Sequence, residues 1–269
     1  MLFRSAAANL GAADGDSGLE EAARQQYRRA KEAAVSIPWL VALAKGRGAS
    51  QPTAQEQSDA TAMLQVERLE AYLAKLGTLH NRAFSARERE IRDGLRSADT
   101  FEQAQVKLGE HLGLVAGKQE SDASPDPWWM IGDVCIVFED HADAKPEGAV
   151  LDAKKAKQAA AHPDWIRENV PGADQARILP VIVTPAKKAK EGAMPVLGRV
   201  AYWDLEAFRA WADTALQTVR NLRRSFREPG ELAWRADASS ALAAIGADAP
   251  GLYATLSSRM ANRHLQRVA

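Results

Sequence analysis

The sequence predicts an α/β protein, a mixed β-sheet core flanked by helices, with an added helical region on its N-terminal side. Three observations carry this prediction. Roughly the first hundred residues show helical periodicity and no strand pattern. Two short β-rich runs, Trp128-Trp129-Met130-Ile131 and Val134-Cys135-Ile136-Val137-Phe138, flank Gly132-Asp133, a dipeptide suited to a tight hairpin. Further strand patterns over 178–184 and 196–203 are separated from that hairpin, and followed, by helical stretches, so part of the sheet is expected to be parallel.

Taken in order, residues 19–45 are rich in Ala, Glu, Arg and Lys and are interrupted at Pro38, which removes a backbone donor. Residues 46–53, GRGASQPT, form the best linker candidate. Thr53-Ala-Gln-Glu56 is a capping signature for a helix whose Met63, Val66, Leu69, Leu73 and Leu76 recur at helical spacing before Gly77. Ser85-Ala-Arg-Glu88 repeats that signature for another helix. Phe101, Ala104, Leu108 and Leu112 then lie on one face of a helix ending at Gly113. After the hairpin, Pro146 and Gly148 mark a turn, and alanine and lysine content makes 149–161 helical. Residues 178–184, ILPVIVT, read as a buried strand despite Pro180. Asp204 caps a long helix with the stripe Phe208, Trp211, Ala215, Val219, Leu222 and Phe226, and the alanine-rich remainder from Pro229 is helical. These elements divide the chain into a helical region over 1–97, an α/β core over 98–227 and a helical extension over 228–269.

The chain has 269 residues, 46% of them hydrophobic and 26% charged, ordinary values for a soluble globular protein. It contains no apolar run of membrane-spanning length, and its first residues lack the apolar core of a signal peptide. The single cysteine, Cys135, excludes an intrachain disulfide or a multi-thiolate zinc site, and fits a reducing cytoplasm. Basic and acidic residues balance at 35 each, which argues against an extended non-specific coat on nucleic acid. Local basic clusters remain: Lys187, Lys188 and Lys190 in one loop, and Arg220, Arg223, Arg224 and Arg227 at one helix end. No phosphate-cradling glycine loop, HExxH or GxSxG is present.

The chemistry-bearing residues concentrate between Pro125 and Trp165. Asp126 precedes the hairpin and Glu139 ends it, so folding at Gly132-Asp133 brings the two carboxylates together. Converging carboxylates hold hard divalent cations, which suits metal-assisted chemistry on phosphate esters. Lys154, Gln158 and His162 follow at i, i+4 and i+8, with Trp165 beyond them.

At these residues the chain resembles the PD-(D/E)XK, or restriction-endonuclease-like, nuclease superfamily, most closely nuclease domains of bacterial helicase-associated and phage-defence proteins. The likeness spans about residues 100–226. Phe101-Glu102 resembles the glutamate-bearing helix that precedes the family's Pro-Asp motif, with Glu110 as the alternative glutamate. Pro125-Asp126 is similar to the first metal ligand, followed by the aromatic Trp129, and Val137-Phe138-Glu139 to the strand ending in the second. Gln158, with His162 and Trp165, resembles the glutamine-bearing helix of helicase-associated members. The resemblance implies a Mg²⁺- or Mn²⁺-dependent DNA endonuclease in restriction or anti-phage defence. Asp126 and Glu139 would bind metal, joined by the Asp140 carbonyl, and Glu102 would orient water. Where the family has lysine two residues after the glutamate, this chain has His141, so His141 or Lys154 would assist the nucleophile and Gln158 would support the site. Trp129 and Trp165 are expected beside the site rather than in the core.

A second alignment takes Asp133 as the first acid and Asp152-Ala153-Lys154 as the acid-x-lysine motif, at the cost of a strand over 150–152 that runs straight into a helix. His141 at the lysine position also suits a catalytically degenerate nuclease-fold module that binds DNA or a partner protein. An assembly role for the N-terminal helices is a third reading. An ATP-driven motor such as a helicase would be a separate polypeptide, and the chain could form homo-oligomers.

Overall fold

The computed structural model describes residues 53–77, 81–119, 125–144 and 147–269. The helix expected over 19–45 and all but Thr53 of the linker lie outside these residues. Helix α1 (Ala54–Leu76) opens on the capping box: the Thr53 side chain accepts from the Glu56 amide, and the Glu56 carboxylate accepts from the Thr53 amide at 2.8 Å. Gly77 ends it at a φ of 81°, a left-handed conformation that costs glycine little. Helix α2 (Asn81–Gly94) starts one turn before Ser85, so the Ser85–Glu88 signature is not a helix start. Glu88 instead shares the inward face with Phe84 and Ile91 and is met there by Arg220. Helix α3 (Phe101–His111) buries the expected Phe101, Ala104 and Leu108. Its Gly109 permits close approach to the sheet, since a Cβ there would lie 2.4 Å from Trp129 Cδ1.

The remaining elements are β1 (Val115–Gly117), β2 (Trp128–Ile131), β3 (Val134–Asp140), β4 (Val150–Leu151), α4 (Ala153–Asn169), β5 (Arg177–Thr184), β6 (Lys188–Lys190), α5 (Met194–Leu197), β7 (Ala201–Asp204), α6 (Leu205–Ser225), α7 (Leu232–Ala244), α8 (Ala249–Ser257), α9 (Ala261–His264) and β8 (Gln266–Val268). The expected hairpin is present: Ile131 pairs with Val134 across Gly132-Asp133. A five-stranded sheet runs in the order β1-β2-β3-β5-β7. Its first two pairings are antiparallel, and β3-β5 and β5-β7 are parallel. The fold class is therefore α/β with a mixed sheet. Pro180 sits opposite Val137 within β5, a central strand, rather than at an edge.

Three further expectations are corrected. The helix expected over 149–161 begins only at Ala153, after the strand β4, and runs on to Asn169. Residues 196–203 are not one strand: Pro195 lies at the start of the short helix α5, where its missing N–H is harmless, and only Ala201–Asp204 is extended. The lysines 187–190 are not simply a loop. Lys188–Lys190 pairs with Val150–Leu151 and with Gln266–Val268 in a second, three-stranded parallel sheet of order β4-β6-β8.

Alternation along β3 organises the layers. Val134, Ile136 and Phe138 join the main core with α1, α3, α6, α7 and α8, while Cys135 and Val137 pack toward Ile166 of α4 on the other face. The main core draws on Val66 and Leu69, on Phe138 and Phe208, and on Trp234 and Leu252. The helical region, the α/β core and the C-terminal extension thus share one interior across the described residues. Among those residues no helix is long and apolar enough to cross a membrane.

Candidate functional site

The same alternation that builds the core decides where the acids at the end of β3 point. Glu139 continues the series of Cys135 and Val137 and faces α4, while Asp140 continues the series of Ile136 and Phe138 and faces the main core. Both are buried. Asp126 comes alongside from the other strand of the hairpin. The Pro127 carbonyl accepts from the Phe138 amide at 2.9 Å, and one register step further the Asp126 carboxylate accepts from the Asp140 amide at 2.5 Å. The Asp126 side chain therefore occupies a place that a backbone carbonyl would otherwise fill, at the end where the parallel strands finish.

Glu139 is fully engaged. One of its oxygens accepts from Lys155 Nζ and the other lies 2.7 Å from His162 Nε2. Lys155 also donates to the Asp140 carbonyl at 3.3 Å. Burial disfavours the Lys155 ammonium, but the hydrogen bond and charge of Glu139, with Asp126 and Asp143, hold its pKa above the usual lysine value. As arranged, Glu139 is a neutralised anchor for α4, not a carboxylate with oxygens open to a cation, and the Asp140 carbonyl is engaged as well.

Asp140 is the opposite case. Both carboxylate oxygens are buried without a hydrogen-bond partner, and burial together with Asp126, Glu102 and Glu139 pushes its pKa well above the carboxylate range. Asp126 is pushed up to about 6, chiefly by burial and further by Glu139 and Glu102, against the opposing hydrogen bond from Asp140 and the charge of Lys155. Glu102, on α3, is half-buried and paired with Lys118 at 2.6 Å. Acids crowded in this way, one with both oxygens orphaned, have the donor chemistry of a hard divalent cation site. Among the described residues no group of three His, Cys, Asp or Glu side chains forms a cage by itself. An ion held by Asp126 and Asp140 would complete its shell with water or phosphate oxygens, the habit of Mg²⁺.

The expected helix face is corrected. Lys154 and Gln158 are exposed, and only His162 of that trio is buried. A step of i+4 overshoots a helical turn by about 40°, so three such positions drift across the surface, whereas i and i+7 nearly eclipse. The inward stripe is Lys155, Ala159, His162 and Ile166. Trp165 packs on the Cys135 and Val137 side of the sheet. Trp129 is a core residue as well, donating to the Gln105 carbonyl at 3.0 Å and packing on Phe138 at 4.7 Å between ring centroids. His141 is half-buried, with its Nδ1 3.3 Å from Thr184 Oγ1 and its amide bonded to the Val183 carbonyl. Burial is the main influence lowering its pKa below the ordinary histidine value.

The second alignment's residues do not converge. Asp133 lies at the hairpin tip, bonded to Arg177 and Thr61, and Asp152 caps α4 near the opposite end of β3. With about 3.3 Å per residue, β3 itself separates those ends by roughly 20 Å. The strand running straight into a helix that counted against this alignment is nonetheless present, as β4 followed by α4. Compared with known families, characterised proteins and solved structures, the chain matches none.

Proposed function

We propose that this chain is a nuclease-fold domain of the restriction-endonuclease-like kind, cutting DNA phosphodiesters with Mg²⁺ or Mn²⁺, in restriction or anti-phage defence. The observation that carries the reading is the junction of Asp126, Asp140 and Glu102 at the open end of a hairpin, with a helix-borne lysine beside it. The order of parts supports it: a glutamate helix, a Pro-Asp lead-in, a hairpin ending in acids, then a helix facing those acids. A divalent ion held by Asp126 and Asp140 would supply charge relief on the phosphate and an acidified water. The chain's own groups have distinct tasks. Lys155 supplies, from α4, the cation that the strand lacks at His141, and Glu139 and the Asp140 carbonyl hold it in place. His162 fixes the other side of Glu139. Glu102, tethered by Lys118, is a second carboxylate able to hold water, and His141, with its lowered pKa, is a neutral base held near Thr184.

A specific observation favours a second reading, a non-cleaving module of the same fold: Glu139, the family-like second ligand, is sequestered by Lys155 and His162. Plasmid and linear DNA cleavage with Mg²⁺ or Mn²⁺ separates the two. Cleavage lost in Asp126→Ala and Asp140→Ala supports the first reading. DNA binding without cleavage in the wild type supports the second, and equal cleavage in all three proteins overturns the site.

A further inference from the structure

The arginine-rich helix end noted in the sequence has no part in the acidic site. Helix α6 is capped by Asp204, at the same sheet end as Asp140 and Thr184, because Asp140 pairs with Val183 and Thr184 with Asp204. At 1.5 Å per residue, Arg220 lies about 24 Å further along that helix. There α6 meets the first turns of α2. Arg220 grips the buried Glu88 with Nε contacts of 3.1 and 2.9 Å, and a further contact from Nη2. Arg223 lies over the Phe84 ring at 4.9 Å and donates to the Gly77 carbonyl.

Two adjoining cavities open at this junction and share Ser85. One, of about 190 Å³, is lined by Phe84, Arg220, Arg223 and Arg224; the other, of about 480 Å³, by Arg82, Ala86 and Arg89. Five guanidinium groups therefore surround the pair, and the buried carboxylate seated against them, Glu88, is spent on Arg220. Arg82, Arg89 and Arg224 are exposed and take part in no ion pair among the described residues. Ordinary solvated faces intersperse both signs. Here one arginine is immobilised by a buried carboxylate, a second is stacked on an aromatic ring, and a hydroxyl lies between the cavities. Planar guanidinium forks match phosphate oxygens bidentately, and fixing them beforehand lowers the entropic cost of binding.

We propose that the α2–α6 junction is a phosphate-binding site, separate from the acidic site, in which Arg82, Arg89 and Arg224 close on phosphate groups over a floor set by Arg220, Arg223 and Ser85. The phosphates belong either to a free polyphosphate-bearing molecule or to a nucleic-acid backbone. The site does not depend on the nuclease reading, since none of its lining residues belongs to the acidic site. The test uses the full chain at about 150 mM salt, where exposed-charge attraction is strongly screened. Inorganic tripolyphosphate is titrated calorimetrically, and a short DNA duplex by fluorescence anisotropy. The proteins are wild type, the double variant Arg82→Ala/Arg224→Ala and the control Arg167→Ala. Neither arginine of the double variant is in an ion pair among the described residues, so its melting temperature should equal that of the wild type. At least a tenfold loss of tripolyphosphate affinity in the double variant alone assigns a free phosphate ligand. A similar loss confined to the duplex assigns a nucleic-acid backbone. Unchanged affinity for both probes, no binding by the wild type, or an equal loss in the control overturns the proposal.

Discussion

Replacing Asp126 with asparagine should stabilise the cation-free protein at neutral pH and abolish its response to Mg²⁺. Burial and the neighbouring acids raise the Asp126 pKa from 3.8 to about 6. A carboxyl whose folded pKa is raised holds its proton more tightly when folded. Its stabilising contribution is complete below pH 3.8 and is lost as pH rises through about 6. A shift of roughly two units at 1.36 kcal/mol per unit sets a ceiling of about 3 kcal/mol, which partial solvent access lowers to about 1.5–3 kcal/mol. The amide that replaces the carboxyl would not ionise, while its carbonyl could still accept from the Asp140 amide. Urea unfolding in a chelator should therefore show variant and wild type converging below pH 3.8 and the variant ahead above pH 6. Adding millimolar Mg²⁺ above pH 6 should raise the wild-type midpoint and leave the variant nearly unchanged. A variant less stable than wild type above pH 6, or a Mg²⁺ shift of equal size in both, would refute the crowded-acid account of this corner.

Three further outcomes follow from the geometry. Lys155→Ala should cost about 1–3 kcal/mol, because Glu139 would be left buried with one partner, whereas Lys154→Ala and Gln158→Ala should stay within about 0.5 kcal/mol; thermal unfolding of the three proteins distinguishes them. His162→Ala should cost about 3 kcal/mol by orphaning a Glu139 oxygen, and His162→Gln should recover part of that loss in the same assay. Gly109→Ala should cost about 1–3 kcal/mol, since the new methyl would overlap the Trp129 ring, and the near-ultraviolet circular dichroism of that indole should change with it.

Much of the architecture was legible because it rests on strong local signals. The Thr53–Glu56 box, the Gly132-Asp133 hairpin and the Asp204 cap each satisfy specific backbone donors or turns, and each appears where the sequence puts it. Of the second sheet, β4 was read only under the second alignment, and β6 and β8 were not legible. Lys188–Lys190 buries only Ala189, so no apolar pattern announces it, and its partners are distant in sequence. At the site, Asp126 and the end of β3 were legible as neighbours, but which acid faces which layer was not. Period two along β3 gives that answer, turning Glu139 to α4 and leaving Asp140 orphaned. Lys155 escapes a reading by i+4 steps because a ladder of polar residues looks like a face, although i and i+7 align more closely on a helix. Trp129 shows the reverse error, a large aromatic beside the motif that the core claims.

The buried Gln65 on α1 has a consequence for how the chain is made. Its amide donates to the carbonyls of Leu112 and Ala247, 3.0 and 2.9 Å away, and its oxygen accepts from the Ala249 amide at 2.8 Å. The last two contacts join residues 182 and 184 positions apart, and Arg235 meets Glu70 across 165. Helix α1 emerges from the ribosome long before the α7–α8 part of its seat exists. Until α7 and α8 are released, the face of α1 that meets them is uncovered, and Gln65 has only its Leu112 partner. Nascent chains stalled before residue 247 should therefore leave α1 more open to proteases than longer ones, and docking of α7 and α8, not pairing of the sheet, would be the event that secures it.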